Sequence, residues 1–212
     1  PHVWRFAEFE PLLHRAAEIV PHELADRRGI ILRNPGCDPT RPSTTNTQYC
    51  AYSIYNPGEV FTPHIHSAAA SRMLLESDGK GYTNVEGEKC YLERGDLIIT
   101  PGGTWHDHGN EGNEPMIWVD MLDIPVSILF NAAKFGWDYK ENGVKMDRQS
   151  TTRSHLYSKR HFGVGGIRPR FAQTRLGNDT GSPQLHWKYE DVRSVLDATR
   201  DETGDPYDGI IV

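Results

Sequence analysis

The sequence predicts an all-β jelly-roll barrel that carries N-terminal helices and an irregular, partly helical C-terminal tail. Between residues 48 and 124, short β-rich runs follow one another, and clusters of turn-forming residues separate them. About eight short strands at such even spacing are typical of a barrel or sandwich. Outside that stretch the rhythm is lost. We therefore divide the chain into an N-terminal helical arm (1–47), a barrel (48–124) and a linker with a tail (125–212).

The N-terminal arm begins with apolar residues at helical spacing. They are Phe9, Leu12, Leu13, Ala16 and Ile19. Pro21 ends this run, and we predict that the first 30 residues are largely helical. The stretch from Asn34-Pro35-Gly36 to Pro42-Ser43 is rich in turn formers and predicts a loop.

The barrel region consists of short runs rich in β-branched and aromatic residues. The predicted strands are Tyr49–Tyr55, Val60–His66, Arg72–Glu76, Gly81–Val85, Lys89–Leu92, Leu97–Thr100, Trp105–His108 and Pro115–Met121. Turn clusters such as Asn56-Pro57-Gly58-Glu59 and Ser77-Asp78-Gly79 lie between them. Because glycine, proline and short polar residues favour tight turns, these clusters mark the ends of the strands.

The tail lacks a sustained pattern. Val126–Phe135 predicts a short helix and Trp187–Thr199 a longer one, whereas residues 139–185 are polar with little periodicity. The last residues, Gly209-Ile210-Ile211-Val212, resemble the start of a strand. We expect the tail to lie outside the barrel, either mobile or docked on a partner.

The composition argues against several classes of partner and location. The net charge is −6 and no run of Lys or Arg occurs, so a nucleic-acid partner is not expected. No apolar stretch approaches the roughly 20 residues that cross a bilayer, and the N-terminus lacks the plan of a signal peptide. The cysteines, Cys37, Cys50 and Cys90, are odd in number and far apart, which favours free thiols in a reducing, cytoplasmic compartment.

Two short clusters hold the histidines that predict chemistry. In the first, His64-Ile65-His66, strand alternation places His64 and His66 on one face. In the second, His106 lies on a short strand that turn-forming residues enclose. These residues are Gly95, Pro101 and Gly103. Three converging imidazoles suit Zn, Cu, Fe or Ni, so the clusters together predict a transition-metal site.

The two clusters predict a metal site specifically because they occur together. An isolated pair of histidines on a strand is more often a feature of the surface or the core. Found in order, with their glycines and proline in register, the clusters resemble the paired motifs of the cupin superfamily, whose fold is a double-stranded β-helix. Many cupins add a glutamate ligand four or five residues after the first motif, where this chain has Ala70 and Ser71 followed by Arg72. The resemblance therefore implies a face of three histidines, which leaves about three metal positions open to ligands.

The resemblance extends to a narrower family within the cupins. Six segments are similar to gentisate 1,2-dioxygenase and its salicylate and 1-hydroxy-2-naphthoate relatives: His64–Arg72, Gly81–Thr83, Val85–Glu88, Gly95–Pro101, Trp105–Asn110 and Ile117–Asp120. That family implies Fe(II) at His64, His66 and His106. It also implies O2 and a small aromatic hydroxy acid as substrates, a homo-oligomer, and a second cupin barrel toward which the tail would lead.

The same resemblance suggests roles for further residues. Arg72 would contact the substrate carboxylate, with His108 and Asp120 as catalytic groups close by. Tyr49 stands where the family has an aromatic pocket residue, and Trp105 is a further substrate-binding candidate. Four of these residues also have a structural interpretation. Arg72 could form a salt bridge at the rim, and His108 could be a hydrogen-bonded structural histidine. Asp120 could orient a neighbour, and Trp105 could belong to the core.

Two further observations bear on the substrate. Ala51 and Ser53 replace the Gly and Gln that are more usual in the family, which leaves gentisate, salicylate and 1-hydroxy-2-naphthoate open. Arg27 and Arg28 could reach the pocket, although a solvated pair is the simpler interpretation. On this basis we predict an Fe(II)-dependent, extradiol-type ring-cleaving dioxygenase, with gentisate as the leading substrate. The alternatives are a cupin isomerase or lyase that uses another divalent metal, and a truncated, non-catalytic cupin binding protein.

Overall fold

The computed structural model describes residues 2–25, 27–38, 40, 43–151 and 185–204. Within this part, the chain forms three helices and thirteen strands. The helices are α1 (Phe6–Ile19), α2 (Ile124–Leu129) and α3 (Tyr189–Thr203). The strands are β1 (Arg28–Ile31), β2 (Tyr49–Tyr55), β3 (Val60–His66), β4 (Ala70–Glu76), β5 (Gly81–Val85), β6 (Glu88–Leu92), β7 (Leu97–Thr100), β8 (His106–Asn110), β9 (Met116–Leu122), β10 (Phe135–Gly136), β11 (Lys140–Glu141), β12 (Val144–Lys145) and β13 (His186–Trp187).

The strands form two main sheets with the core between them. One sheet has the order β1-β2-β9-β4-β7-β13, and the other has the order β10-β3-β8-β5-β6. All of these strand pairs are antiparallel. Apolar side chains from both sheets meet in one cluster: Tyr55, Phe61, Leu74, Cys90, Leu92, Ile98, Met116 and Trp118. The predicted jelly-roll fold is confirmed.

The turns fall where the sequence indicates them. Gly58, Gly79 and Gly95 adopt positive φ angles of 81°, 81° and 91°. Residues with a Cβ rarely adopt this conformation, so glycine at these positions fixes the ends of the neighbouring strands. Four barrel strands have the predicted bounds, and the others differ by one or two residues at one or both ends.

The N-terminal arm is only partly helical. α1 packs on the outer face of β1, β2 and β9, where its Leu13 is fully buried. The prediction of helix to residue 30 is wrong for residues 28–30, which belong to the edge strand β1 that pairs with β2. Gly29 fits there because it has no side chain: a Cβ would lie 2.8 Å from the carbonyl oxygen of Tyr52. Local spacing does not reveal such a neighbour, which only the folded sheet supplies.

The described parts of the tail are attached to the barrel more closely than predicted. β10 pairs with β3 and β13 with β7, so both strands extend the main sheets. The backbone and side-chain N–H groups of Gln149 both donate to Oδ2 of Asp107 at 3.0 Å. On the other sheet, Asp96 lies 2.7 Å from Nε2 of His186 and accepts a bond from the backbone of Tyr189 at 2.8 Å. The expectation of a detached tail is therefore wrong for these segments, which strand pairing and buried polar contacts hold in place.

Both helices predicted in the tail are present, but their ends differ. α2 ends at Leu129, and Phe135, which the prediction included, pairs in β10. α3 begins at Tyr189, because Trp187 pairs in β13. The strand start predicted at 209–212 lies outside the described residues. Among the helices that the structure describes, none has the length and apolar character needed to span a membrane.

Candidate metal centre

Three buried histidines converge between β3 and β8. His64 and His66 alternate on β3, and His106, at the start of β8, is the cross-strand partner of His64. One ring nitrogen from each residue lies within 4.8 Å of the corresponding atoms of the other two. All three side chains are buried. The structure thus brings together the side chains that the sequence predicts as metal ligands.

An irregularity in β3 adds an aromatic ring to this group. The pairing of β3 with β8 shifts between Phe61 and His64. This stretch contains Pro63, which has no backbone N–H to give to a ladder. Strict alternation would point residues three apart to opposite faces, whereas the shift brings the rings of Phe61 and His64 to a centroid distance of 4.5 Å. Phe61 is not among the predicted site residues, although a proline within a strand is a signal for such a shift.

The three rings share one hydrogen-bond arrangement. In each, Nδ1 lies against the backbone carbonyl of a residue two positions away. The bonds run from His64 to Thr62 (3.0 Å), from His66 to Ala68 (2.7 Å) and from His106 to Thr104 (2.9 Å). A carbonyl can only accept, so each Nδ1 carries the proton and each Nε2 keeps its lone pair. The Nε2 atoms of His64 and His106 are buried without a hydrogen-bond partner among the described residues, as a metal ligand requires.

Burial also favours the form of these histidines that binds metal. Burial of the rings away from water disfavours their charged form. It lowers the pKa of His64 and His106 well below the usual value, and it also lowers the pKa of His66. The positive charge of Arg72 contributes to each shift. Neutral imidazole is the ligand form, so no proton has to be displaced near neutral pH. The donor set therefore fits a divalent transition metal.

A buried carboxylate lies on the facing sheet. Asp120 on β9 lies between Ala51 of β2 and Arg72 of β4 in the strand register. Its Oδ1 lies 2.5 Å from Nε of Arg72, and Oδ2 lies 3.9 Å from Nη1 of Arg27. Ser53 and Trp118 donate to Oδ2 at 2.9 Å and 3.1 Å. The Asp120 carboxylate on the inner wall of the barrel therefore contacts two guanidinium groups.

A cavity of about 550 Å³ reaches His64 and His66. Its walls are mainly apolar and include Leu122, Ile124, Pro125, Ile128, Phe135 and Trp137. Among the lining residues that the structure describes, Arg27 is the one with a formal charge, and its guanidinium lies 4.7 Å from the centroid of Phe61. Such a cavity suits a flat apolar ring that carries an anionic group.

Arg72 lies behind this cavity and is not among its lining residues. Its side chain is 1% exposed, donates to Oγ1 of Thr100 at 3.0 Å and lies 5.5 Å from the centroid of Trp118. Arg72 and Leu74 share the inward face of β4, and Met73 points outward. The guanidinium thus projects into the barrel, and its direct contact with a substrate carboxylate stays a prediction.

The remaining predicted site residues lie in different surroundings. Tyr49 lines the cavity. His108 is buried, and its Nδ1 lies 3.0 Å from Oγ1 of Thr83. Trp105 immediately precedes His106 and points the other way, toward the ring of Tyr139 at a centroid distance of 5.1 Å. This position argues against the predicted substrate contact of Trp105.

The cavity also contains residues that the sequence analysis did not assign to it. Phe135 and Trp137 lie in the segment after α2, and their rings are stacked at a centroid distance of 6.0 Å. Two aromatic residues that alternate around Gly136 are typical of a strand, and this signal was available in the sequence. Ser53 was noted for departing from the family pattern, but its bond to Asp120 depends on the pairing of β2 with β9.

Comparisons with known proteins agree with this geometry. The family described as Cupin domain matches residues 51–123. The chain is 42% identical over 133 residues to a gentisate 1,2-dioxygenase from Ralstonia sp, a match that covers 63% of this chain and 37% of that protein. It is 35% identical over 200 residues to gentisate 1,2 dioxygenase 1 from Aquipseudomonas alcaligenes, with coverage of 94% and 54%.

A solved structure shows the same fold. A mutant of salicylate 1,2-dioxygenase from Pseudoaminobacter salicylatoxidans, in complex with gentisate, superimposes with a TM-score of 0.79 and is 29% identical. The match covers 97% of this chain and 55% of that one. The chain therefore spans roughly half the length of the structural relative and of the Aquipseudomonas enzyme, and less of the Ralstonia one.

Proposed function

Because the chain belongs to the cupin superfamily and, within it, to the gentisate 1,2-dioxygenase family, we propose that it catalyses O2-dependent, extradiol-type ring cleavage of a hydroxylated aromatic carboxylate. The observation that carries the proposal is the set of three neutral imidazoles beside an apolar cavity whose wall includes a guanidinium. Gentisate is the leading substrate, followed by salicylate and 1-hydroxy-2-naphthoate.

We propose Fe(II) as the metal, held by His64, His66 and His106. Bound there, Fe(II) would supply the redox link between an electron-rich ring and O2. The protein's own part is to hold the three Nε2 lone pairs in place through the bonds at Nδ1. The burial of the rings keeps bulk water from competing for the same positions.

The anionic end of the substrate needs positive charge in a protein whose net charge is −6. We assign the first contact to Arg27, because it lines the cavity and its side chain is 33% exposed. A planar guanidinium can donate two parallel bonds to a carboxylate. The buried positive charge of Arg72 also favours an anion in the cavity. Asp120 acts as an orienting group, because it lies close to the guanidinium groups of both Arg27 and Arg72. The catalytic roles predicted for His108 and Asp120 remain part of the proposal.

The decisive experiment is anaerobic loading with Fe(II), followed by measurement of O2 uptake with each of the three aromatic acids. We expect about one iron per chain and O2 consumption that matches loss of the substrate. Turnover without O2, supported by Zn or Mn, would instead indicate an isomerase or lyase. Binding of the aromatic acid without any turnover by the iron-loaded chain would indicate a binding protein.

Arg27→Ala tests the contact with the carboxylate. We expect KM for a carboxylated phenol to rise about ten- to hundredfold, because a hydrogen bond to a charged group contributes about 1.5–3 kcal/mol. Iron content should not change. Arg27→Lys should recover only part of the loss, because an ammonium group lacks the planar fork. Steady-state O2 uptake gives kcat and KM for each variant.

The matched control is Arg33→Ala, which removes an exposed arginine of the same N-terminal arm. It should leave KM unchanged. An Arg27→Ala variant that behaves like this control would remove Arg27 from the site and return the carboxylate contact to Arg72.

We further propose a homo-oligomer in a reducing, cytoplasmic compartment. Free thiols at Cys37, Cys50 and Cys90 support the compartment. Exposed apolar side chains at the end of α2, Leu129 and Phe130, support association. Light scattering of the purified chain tests the oligomer, and a monomer at all concentrations would contradict it.

A further inference from the structure

The fourth inward-facing histidine, His108, differs from the three proposed ligands in its hydrogen-bond partner. Its Nδ1 lies 3.0 Å from the hydroxyl oxygen of Thr83 rather than against a carbonyl. Thr83 on β5 and His108 on β8 are cross-strand partners, with exposures of 0% and 1%. A hydroxyl can donate or accept, so the position of the ring proton depends on what else the hydroxyl contacts.

The surroundings of Thr83 decide the direction of this bond. Among the described residues, Nδ1 of His108 is the one hydrogen-bond partner of the Thr83 hydroxyl. If Nδ1 carried the proton, the hydroxyl would have to accept, and its own hydrogen would be buried without an acceptor. Such an arrangement is unfavourable in a protein interior. If the hydroxyl donates, its hydrogen and the lone pair of Nδ1 are both satisfied, and the hydrogen on Nε2 is the one polar group of the pair left without a partner among the described residues.

We infer that Thr83 is a positioning residue, whose hydroxyl donates to Nδ1 of His108 and thereby fixes the ring proton on Nε2. This Nε2 is buried and has no hydrogen-bond partner within the described residues. The His108 ring lies 5.5 Å and 5.3 Å, between centroids, from the rings of His64 and His106. His108 therefore holds an N–H donor beside the metal centre for an oxygen atom of the bound substrate, a step that rests on the proposed function.

The assignment divides the four histidines into two classes. His64, His66 and His106 are protonated on Nδ1 and offer lone pairs at Nε2. His108 is protonated on Nε2 and offers a hydrogen instead.

The first test reads the tautomer directly and needs no turnover. Nitrogen-15 NMR of the imidazole rings in the metal-free protein reports which nitrogen carries the proton, and loss of signals in His108→Asn identifies the ring. We expect Nε2–H in the wild type and in Thr83→Ser, and a shift toward Nδ1–H in Thr83→Val. A wild-type ring protonated on Nδ1 would overturn the inference, even if Thr83→Val failed to fold.

The second test asks whether Thr83 acts through His108. Thr83→Val should lower kcat about ten- to hundredfold, as loss of a partner that orients a site residue typically does. KM should change less, and Thr83→Ser should restore most of kcat. In a His108→Asn background, Thr83→Val should cause no further loss. An equal loss in both backgrounds would show a merely structural role.

The two proposals can fail separately. If the iron-loaded chain cleaves no aromatic acid, the proposed function fails, and the ring spectra still decide the tautomer. If cleavage occurs but Thr83→Val keeps both the wild-type spectrum and the wild-type kcat, the inference about Thr83 fails alone.

Discussion

Replacing His106 with alanine is expected to abolish iron binding and, with it, ring cleavage. His106 is the ligand from β8, so its loss leaves two imidazoles on a single strand, with no donor from the opposite side. Loss of a group that merely orients a ligand costs about 10- to 100-fold in metal affinity, and loss of the ligand itself should cost more. Metal analysis after anaerobic loading and desalting measures iron per chain, and O2 uptake measures activity.

The matched control is His22→Ala, which removes a partly buried histidine of the N-terminal arm. It should keep full iron content. Thermal unfolding should show that His106→Ala is folded, so that a loss of iron reports on the missing ligand rather than on unfolding. Full iron occupancy in His106→Ala would refute the ligand assignment.

Replacing Arg72 with alanine is expected to destabilise the barrel strongly. Among the described residues, Asp120 would keep only the more distant Arg27, at 3.9 Å, as a cationic partner. Removal of one partner from a buried ion pair costs about 3–5 kcal/mol, because the remaining charge is left without compensation. Urea unfolding measures this loss. Iron should still bind to the folded fraction, because the three ligands lie on the other sheet.

A double variant separates the charge effect from the packing effect. Arg72→Leu with Asp120→Leu removes both charges, and it should be more stable than Arg72→Ala alone. If Arg72→Ala unfolds at the same urea concentration as the wild type and only KM rises, then Arg72 serves the substrate rather than the fold.

Sequence patterns predict the barrel well because its strand ends are determined locally. Gly58, Gly79 and Gly95 mark turns that other residues would strain, and the period of two places His64 and His66 on one face. The positions of these strands and the convergence of the histidine clusters therefore follow from the order of the amino acids.

Features that depend on contacts between distant segments could not be predicted in this way. Arg28–Ile31 becomes a strand because β2 offers an open edge, and Arg72 is buried because β4 pairs with β9 in the register that sets it beside Asp120. Trp105 is a different case, because local alternation with His106 already directs its side chain away from the metal centre. None of the neighbours that decide the first two cases is close in sequence.

The site is divided between the two sheets, so the core packed between the sheets also sets the distance across the site. The proposed ligands lie on β3 and β8, and Asp120 and Arg72 lie on β9 and β4. The side chains packed between the sheets, including Tyr55 and Trp118, therefore separate the three histidines from the Asp120–Arg72 pair. These rings act as a spacer of fixed thickness, because packed interiors resist compression. A change in the volume of these rings would alter the distance across the site and thereby its fit to the substrate. This holds even though the changed atoms lie outside the cavity lining.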